Sequence, residues 1–99
     1  MNIAAYVVPG KLYKVKVELS VWTSVADYVD WLTRKLNSNP MLGYVQGPFL
    51  LLGVEYGTYD GLYGFQILDR NGMVGCLVLV VYKDELSGLF EPVEQQELT

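Results

Sequence analysis

The fold is decided at residues 62–83, which read LYGFQILDRNGMVGCLVLVVYK and place two apolar runs on either side of Asn71-Gly72. Asn-Gly is a preferred dipeptide of two-residue β-hairpin turns, because both residues tolerate a positive φ. The flanking runs are rich in valine, leucine and aromatic residues, which are typical of strands. The segment therefore predicts an antiparallel hairpin with strands over 62–69 and 73–83.

A two-residue turn fixes which residues of this hairpin face each other. It pairs Gln66 with Leu77 on one face of the sheet and Phe65 with Val78 on the other, and paired residues project to the same side. Gln66 is then the sole polar residue among these pairs. An antiparallel sheet with one wet face alternates between apolar and polar residues. We therefore expect both faces of this hairpin to be covered.

One helix can cover only one face of such a sheet, so a second cover is needed for the other. The sequence favours a second copy of the chain, stacked sheet against sheet. This interpretation places a homodimer interface at Gln66, Leu77 and Leu79. The alternative is that the connection at 41–48 and the C-terminal segment at 84–99 fold over that face of the same chain.

Residues 24–37 predict the helix. Ser24 can accept hydrogen bonds from first-turn amides, and Asp27 follows three residues later, as at many helix N-termini. One apolar stripe at helical spacing is formed by Val25, Tyr28, Val29, Leu32 and Leu36. The segment Asn37-Ser38-Asn39-Pro40 is expected to end the helix. Trp31 lies on the flank of the stripe, where it either rims the core or contacts a partner.

Three further strands complete the predicted fold. Strands over 2–8 and 12–19 flank the turn dipeptide Pro9-Gly10, and a strand over 49–56 precedes the hairpin. The strand at 12–19 alternates cleanly and carries lysines on one side, which predicts an edge strand. The fold class is therefore α+β in the order β-β-α-β-β-β: a five-stranded, mostly antiparallel sheet with one helix packed on one face.

Composition limits the classes of function. The chain is 52% hydrophobic and 18% charged, with a net charge of -4, which indicates a globular protein with little polar surface and excludes disorder. Five of the 11 acidic residues and none of the 7 basic ones follow residue 83. We therefore expect a single domain over 1–90 and an acidic C-terminal tail over 91–99. Residues 1–83 are nearly neutral, which argues against nucleic acid as a ligand. No apolar run is long enough for a membrane helix.

Cys76 is the single cysteine, and the chain contains no histidine. A lone cysteine cannot form an internal disulfide, and the N-terminal residues lack the pattern of a signal peptide, so we expect a cytoplasmic protein. The apolar neighbours of Cys76 predict a raised thiol pKa and a role in core packing. Without histidine, zinc sites and nucleophile–base pairs lose their commonest member, so neither a metal nor a cofactor is expected.

Two classes of function remain open. The first is a small non-enzymatic interaction protein, a homodimer with an accessory or inhibitory role such as viruses and phages encode. Tyrosine is common at protein interfaces, and the expected contacts with another protein are Tyr44, Tyr56, Tyr59 and Tyr63. The second is a small enzyme or ligand-binding module that uses nearby tyrosines and a carboxylate from Glu55, Asp60 or Asp69. A deep polar pocket around a carboxylate would favour the second class, and a flat aromatic patch the first.

Overall fold

The computed structural model describes residues 7–45, 47–56, 61–80 and 89–93. These residues form one helix, α1 (Val25–Leu32), and seven strands: β1 (Leu12–Val15), β2 (Ser20–Trp22), β3 (Met41–Tyr44), β4 (Phe49–Tyr56), β5 (Leu62–Leu68), β6 (Val74–Val80) and β7 (Phe90–Pro92). All seven strands belong to one antiparallel sheet in the order β3-β2-β6-β5-β4-β1-β7. The α+β class is confirmed. The expected five strands and their meander order are wrong.

Strand β1 lies inside the sheet, so the prediction of an edge strand is wrong. It pairs with β4 on one side and with β7 on the other, where Lys14 lies opposite Glu91. Lys14 and Lys16 approach the Glu91 carboxylate to 3.9 and 3.5 Å. The lysines, which are typical of an edge strand, thus pair with Glu91 of β7, a strand far away in the sequence. The strand expected over 2–8 lies outside the described residues, except for positions 7 and 8, which are not in a strand.

The β5–β6 hairpin turns at Asn71-Gly72 as predicted, but its loop has three residues. The amide of Asp69 donates to the carbonyl of Met73 at 2.9 Å, and Gly72 has a φ of +85°. This geometry is that of a type I turn followed by a glycine bulge. Asp69 Oδ1 accepts hydrogen bonds from the backbone amides of Asn71 and Met73, both at 2.9 Å, and so stabilises the longer loop.

The extra loop residue shifts the hairpin register by one. Gln66 pairs with Cys76 and Phe65 pairs with Leu77, so the predicted pairing of Gln66 with Leu77 is wrong. Because a shift of one residue moves a side chain to the opposite face, Gln66 and Leu77 lie on opposite sides of the sheet. We call the side of Phe65 and Leu77 the inner face, and the side of Gln66 and Cys76 the outer face.

The inner face carries the main core, which the sheet covers by curling on itself. The rings of Phe65 in β5 and Phe90 in β7 are 5.0 Å apart, although two strands lie between them. Three strand spacings would separate these strands by about 14 Å in a flat sheet. The buried residues of this cluster are Val7, Tyr13, Val21, Val45, Phe49, Leu51, Phe65, Ile67, Leu77 and Phe90. The inner face is therefore closed largely within one chain.

Helix α1 packs on the outer face. Ser24 Oγ accepts a hydrogen bond from the Asp27 amide at 3.0 Å, which confirms the predicted N-terminus. Val25 then packs in a second buried cluster with Leu62 and Cys76. A Cβ built on Gly64 would lie 2.1 Å from Val25 Cγ2, so only glycine lets the helix approach the sheet this closely.

The helix ends at Leu32 rather than near residue 37. Arg34 takes a φ of +64°, and the amide of Lys35 donates to the carbonyl of Asp30 at 2.7 Å. This is the hydrogen-bond pattern of a Schellman motif, whose left-handed position usually holds glycine or asparagine. Since arginine occupies that position here, the sequence carries no visible stop signal. No helix within the described residues is long and apolar enough to cross a membrane.

Candidate functional site

Four aliphatic side chains of the outer face lie in one row and belong to neither buried cluster. The register pairs Leu12 with Leu50, Leu50 with Leu68, and Leu68 with Val74, so the four lie side by side on β1, β4, β5 and β6. Leu12, Leu50 and Leu68 are half-buried, and Val74 is 60% exposed. We call these four residues the outer row. Leu52, beside the row at a bulge of β4, is 44% exposed.

Helix α1 leaves the outer row uncovered. The helix contacts β2 and β6 and packs through Val25 onto Cys76, whereas Val74 lies two residues nearer the hairpin turn. Strand partners on one side of a sheet form a continuous surface. An exposed apolar patch of several hundred Å² on a small domain is often a place where another molecule binds. The outer row is therefore the candidate binding surface.

A cleft of about 230 Å³ separates the outer row from the start of the helix. Gln66 Nε2 donates to Glu55 Oε1 at 2.5 Å between two neighbouring strands that line this cleft. The second oxygen of Glu55 and the carbonyl oxygen of Gln66 can accept further hydrogen bonds. The lining is formed by Thr23, Ser24, Glu55, Gln66, Val74, Gly75 and Cys76. Because its polar rim holds a carboxylate and an amide oxygen, the cleft suits a donor-rich group such as a guanidinium or an ammonium.

Cys76 forms part of the cleft lining, but its thiol is unreactive. Its residue is 2% exposed, and burial, followed by the negative charge of Glu55, raises the thiol pKa from 9.0 to about 11. The predicted core role and raised pKa are confirmed. At pH 7 the thiol stays protonated, and the thiolate is the form that acts as a nucleophile. Cys76 is therefore a packing residue.

Charge is divided across the outer row. Glu55 and Asp27 lie on the helix side, where Asp27 Oδ2 accepts a hydrogen bond from Thr23 Oγ1 of the cleft. On the hairpin side, the exposed Arg70 follows Leu68 by two residues. Lys14, two residues along β1 from the row, lies on that same side. Glu55 pairs with Gly64, four residues or about 13 Å from Leu68, whereas Arg70 lies two residues or about 7 Å beyond it. The row therefore lies between an acidic and a basic side.

The residues expected at a homodimer interface separate between the two faces. Gln66 is exposed on the outer face, next to Glu55. Leu77 is 0% exposed within a single chain, and Leu79 packs against the same inner cluster. The curled sheet therefore covers Leu77 and half-buries Leu79, and of the three residues only Gln66 lies on the outer face.

The tyrosines expected to contact another protein do not form one patch within the described residues. Tyr44 is 44% exposed in β3, at an edge of the sheet. Tyr63 packs against the inner cluster, and β2 and β6 separate its strand from β3. The side chain of Tyr56 and the whole of Tyr59 lie outside the described residues.

The candidate carboxylates also lie apart. Glu55 borders the cleft, whereas Asp69 is buried in the hairpin loop, where it accepts two backbone hydrogen bonds. Asp60 lies outside the described residues. In the described part of the chain, no group of three histidine, cysteine, aspartate or glutamate residues could hold a metal ion.

We compared the chain with protein families, curated proteins and solved structures. No protein-family model, curated protein or solved structure matches the chain.

Sequence reasoning missed the outer row, although a signal for it is present. Asp69 stands before Arg70-Asn71-Gly72, and aspartate at the first position of a type I turn with glycine at its end is typical of the three-residue loop. That loop puts Leu68 opposite Val74, which is the observed register. The remaining pairs of the row depend on β1 and β4, whose register the sequence does not indicate.

Proposed function

We propose that this chain is a small non-enzymatic interaction protein that forms a homodimer through the outer face of its sheet. The observation that supports this most is the outer row beside the polar cleft, which helix α1 does not cover. Apolar residues ringed by polar and charged groups are the usual composition of a protein interface. The interface differs from the sequence expectation, since Gln66 remains near it while the outer row takes the place of Leu77 and Leu79.

Other features fit the same proposal. Cys76, the single cysteine, is buried with a raised pKa, which suits a chain that acts in the reducing cytoplasm. The small size and the scarcity of reactive groups suit an accessory or inhibitory role, such as those of proteins that viruses and phages encode.

The test is the mass of the protein in solution with and without the outer row. Sedimentation equilibrium between micromolar and 100-fold higher concentrations is expected to show a dimer. Val74→Asp places a charge in the row and is expected to give a folded monomer, with the circular dichroism spectrum of the wild type. The matched control is Val80→Asp, since Val80 lies on the same strand and is 73% exposed but falls outside the row.

Two results would contradict the proposed dimer. The first is a wild-type monomer at every concentration. The second is a dimer that Val74→Asp and Val80→Asp weaken equally, because that result would place the interface elsewhere.

A second candidate function, a small ligand-binding module, is favoured by the presence of Glu55 in the cleft. Guanidinium and methylammonium are suitable probes, because the rim of the cleft offers hydrogen-bond acceptors. Saturable shifts of the Gln66 side-chain amide in an NMR titration, lost in Glu55→Gln but kept in Asp30→Asn, would support this candidate. A linear, non-saturating response would exclude it.

A further inference from the structure

We propose that the second copy stacks on the outer face with its strands reversed, so that the partner's Arg70 enters the cleft and meets Glu55, and the reverse contact forms on the other side. This inference rests on the proposed homodimer and names its geometry and its anchoring contact. The argument depends on the symmetry of the face, on the chemistry of the cleft and on the placement of charge.

The symmetry follows from where the outer row lies. A homodimer with twofold symmetry uses the same patch on both copies. If the twofold axis runs along the outer row, each row residue lies opposite itself and the two strand directions are reversed. Gln66 and Arg70 each lie two residues from Leu68, on opposite sides of the row. The axis therefore brings the Arg70 end of one copy over the Gln66–Glu55 end of the other.

The polar groups of the cleft suit the guanidinium of the partner's Arg70. A guanidinium has five N–H donors and no acceptor, and it forms strong hydrogen bonds with carboxylates. The cleft provides the carboxylate of Glu55 and the side-chain amide oxygen of Gln66 as acceptors, and Cys76 forms an apolar part of its lining. A water molecule takes about 30 Å³ of liquid volume, so the 230 Å³ cleft has room for a guanidinium and the end of its stem.

The wider charge pattern favours a second copy over an unrelated chain. Lys14 and Lys16 lie with Arg70 on the hairpin side of the row, where the three basic groups outnumber the one carboxylate of Glu91. Asp27 lies with Glu55 on the helix side. Reversed stacking places basic ends over acidic ends twice. Stacking with the strands parallel would instead place like charges opposite each other, which disfavours that arrangement.

The experiment is a charge swap read by the dissociation constant of the dimer. Arg70→Glu and Glu55→Arg are each expected to weaken the dimer at least 30-fold, because every single variant breaks two symmetric contacts. The double variant Arg70→Glu/Glu55→Arg restores opposite charges at both contacts and is expected to return to within fivefold of the wild type. Lys35→Glu is the control, since Lys35 is exposed beyond the helix and undergoes the same reversal of charge.

The outcomes separate this inference from the proposal on which it rests. A dimer that persists through both single reversals would overturn the stacking geometry and leave the homodimer standing. A double variant that stays folded by circular dichroism but does not regain the wild-type dissociation constant would do the same. If a single variant unfolds, the dissociation constant of the double variant decides. A wild-type value supports the contact between Arg70 and Glu55 of the partner subunit, and a weaker dimer contradicts that contact. A wild-type monomer would overturn both proposals together.

Discussion

Replacing Gly64 by alanine tests whether the helix is seated directly on the outer face. The added Cβ would lie 2.1 Å from Val25 Cγ2 and 2.8 Å from Cys76 Sγ. Contact between carbon atoms is favourable at about 3.5–4.0 Å, so Val25 would have to retreat by about 1.5 Å. Valine has one strongly preferred rotamer in a helix and cannot easily turn away. The start of the helix, which forms one wall of the cleft, must therefore move.

The magnitude follows from two opposing contributions. Overpacking of this kind costs about 1–3 kcal/mol. Alanine in place of a strand glycine returns about 0.5–1 kcal/mol through backbone entropy. Gly53 is a matched control on the same face, because its Cβ would meet only Gln66 Oε1 at 3.6 Å and neither glycine has a positive φ. We expect Gly64→Ala to be about 2 kcal/mol less stable than Gly53→Ala.

Urea unfolding followed by tryptophan fluorescence measures this difference. A double-mutant cycle sharpens it, since in a Val25→Ala background most of the clash with residue 64 is removed. The penalty of Gly64→Ala should then fall by about 1 kcal/mol or more. Equal stabilities of Gly64→Ala and Gly53→Ala, or additive effects of Val25→Ala and Gly64→Ala, would refute the close seating of the helix.

Three further substitutions test other parts of the structure. The folded chain holds the Cys76 proton up to a pKa of about 11 against an ordinary 9.0, so its unfolding free energy should fall by about 2–3 kcal/mol as pH rises through this window. The unfolding free energy of Cys76→Ala should not show this part of the decline. If it falls with pH in parallel with that of the wild type, the raised pKa of Cys76 is contradicted. Asp69→Ala should cost about 1–2 kcal/mol in urea unfolding, and Asp69→Asn less because it keeps an acceptor, so equal losses would contradict the loop geometry. Phe90→Ala should cost about 3–5 kcal/mol, and a loss below about 1 kcal/mol would contradict the curled sheet.

Local patterns predicted the elements that local interactions determine. The strand expected over 49–56 is β4, Phe49–Tyr56, and the helix begins after Ser24 as its capping pattern indicates. The sequence does not indicate the helix end, because Arg34 takes the left-handed position that glycine usually occupies. Strand β7 could be expected only as an apolar segment docking on the body, since its pairing with β1 joins residues far apart in the chain.

The candidate site depends on register, which is why the sequence predicted it only in part. Gln66 was placed near an uncovered face and is exposed there. A two-residue loop predicts Leu77 on the same face as Gln66, and the one additional loop residue in the structure reverses the side of the sheet on which Leu77 lies. The curl that buries Leu77 arises from contacts between distant strands, such as that of Phe65 with Phe90, which no local pattern encodes.

The most direct test of the central claim is a cross-link at the proposed twofold axis. Leu68→Cys places a thiol on the outer row, and the native Cys76 gives little background because it is buried with a raised pKa. A short homobifunctional maleimide should join two Leu68→Cys chains covalently. It should leave Val80→Cys chains single, since Val80 lies six residues, about 20 Å, from the row. Failure of Leu68→Cys to cross-link, or equal cross-linking of both variants, would contradict the dimer on the outer face.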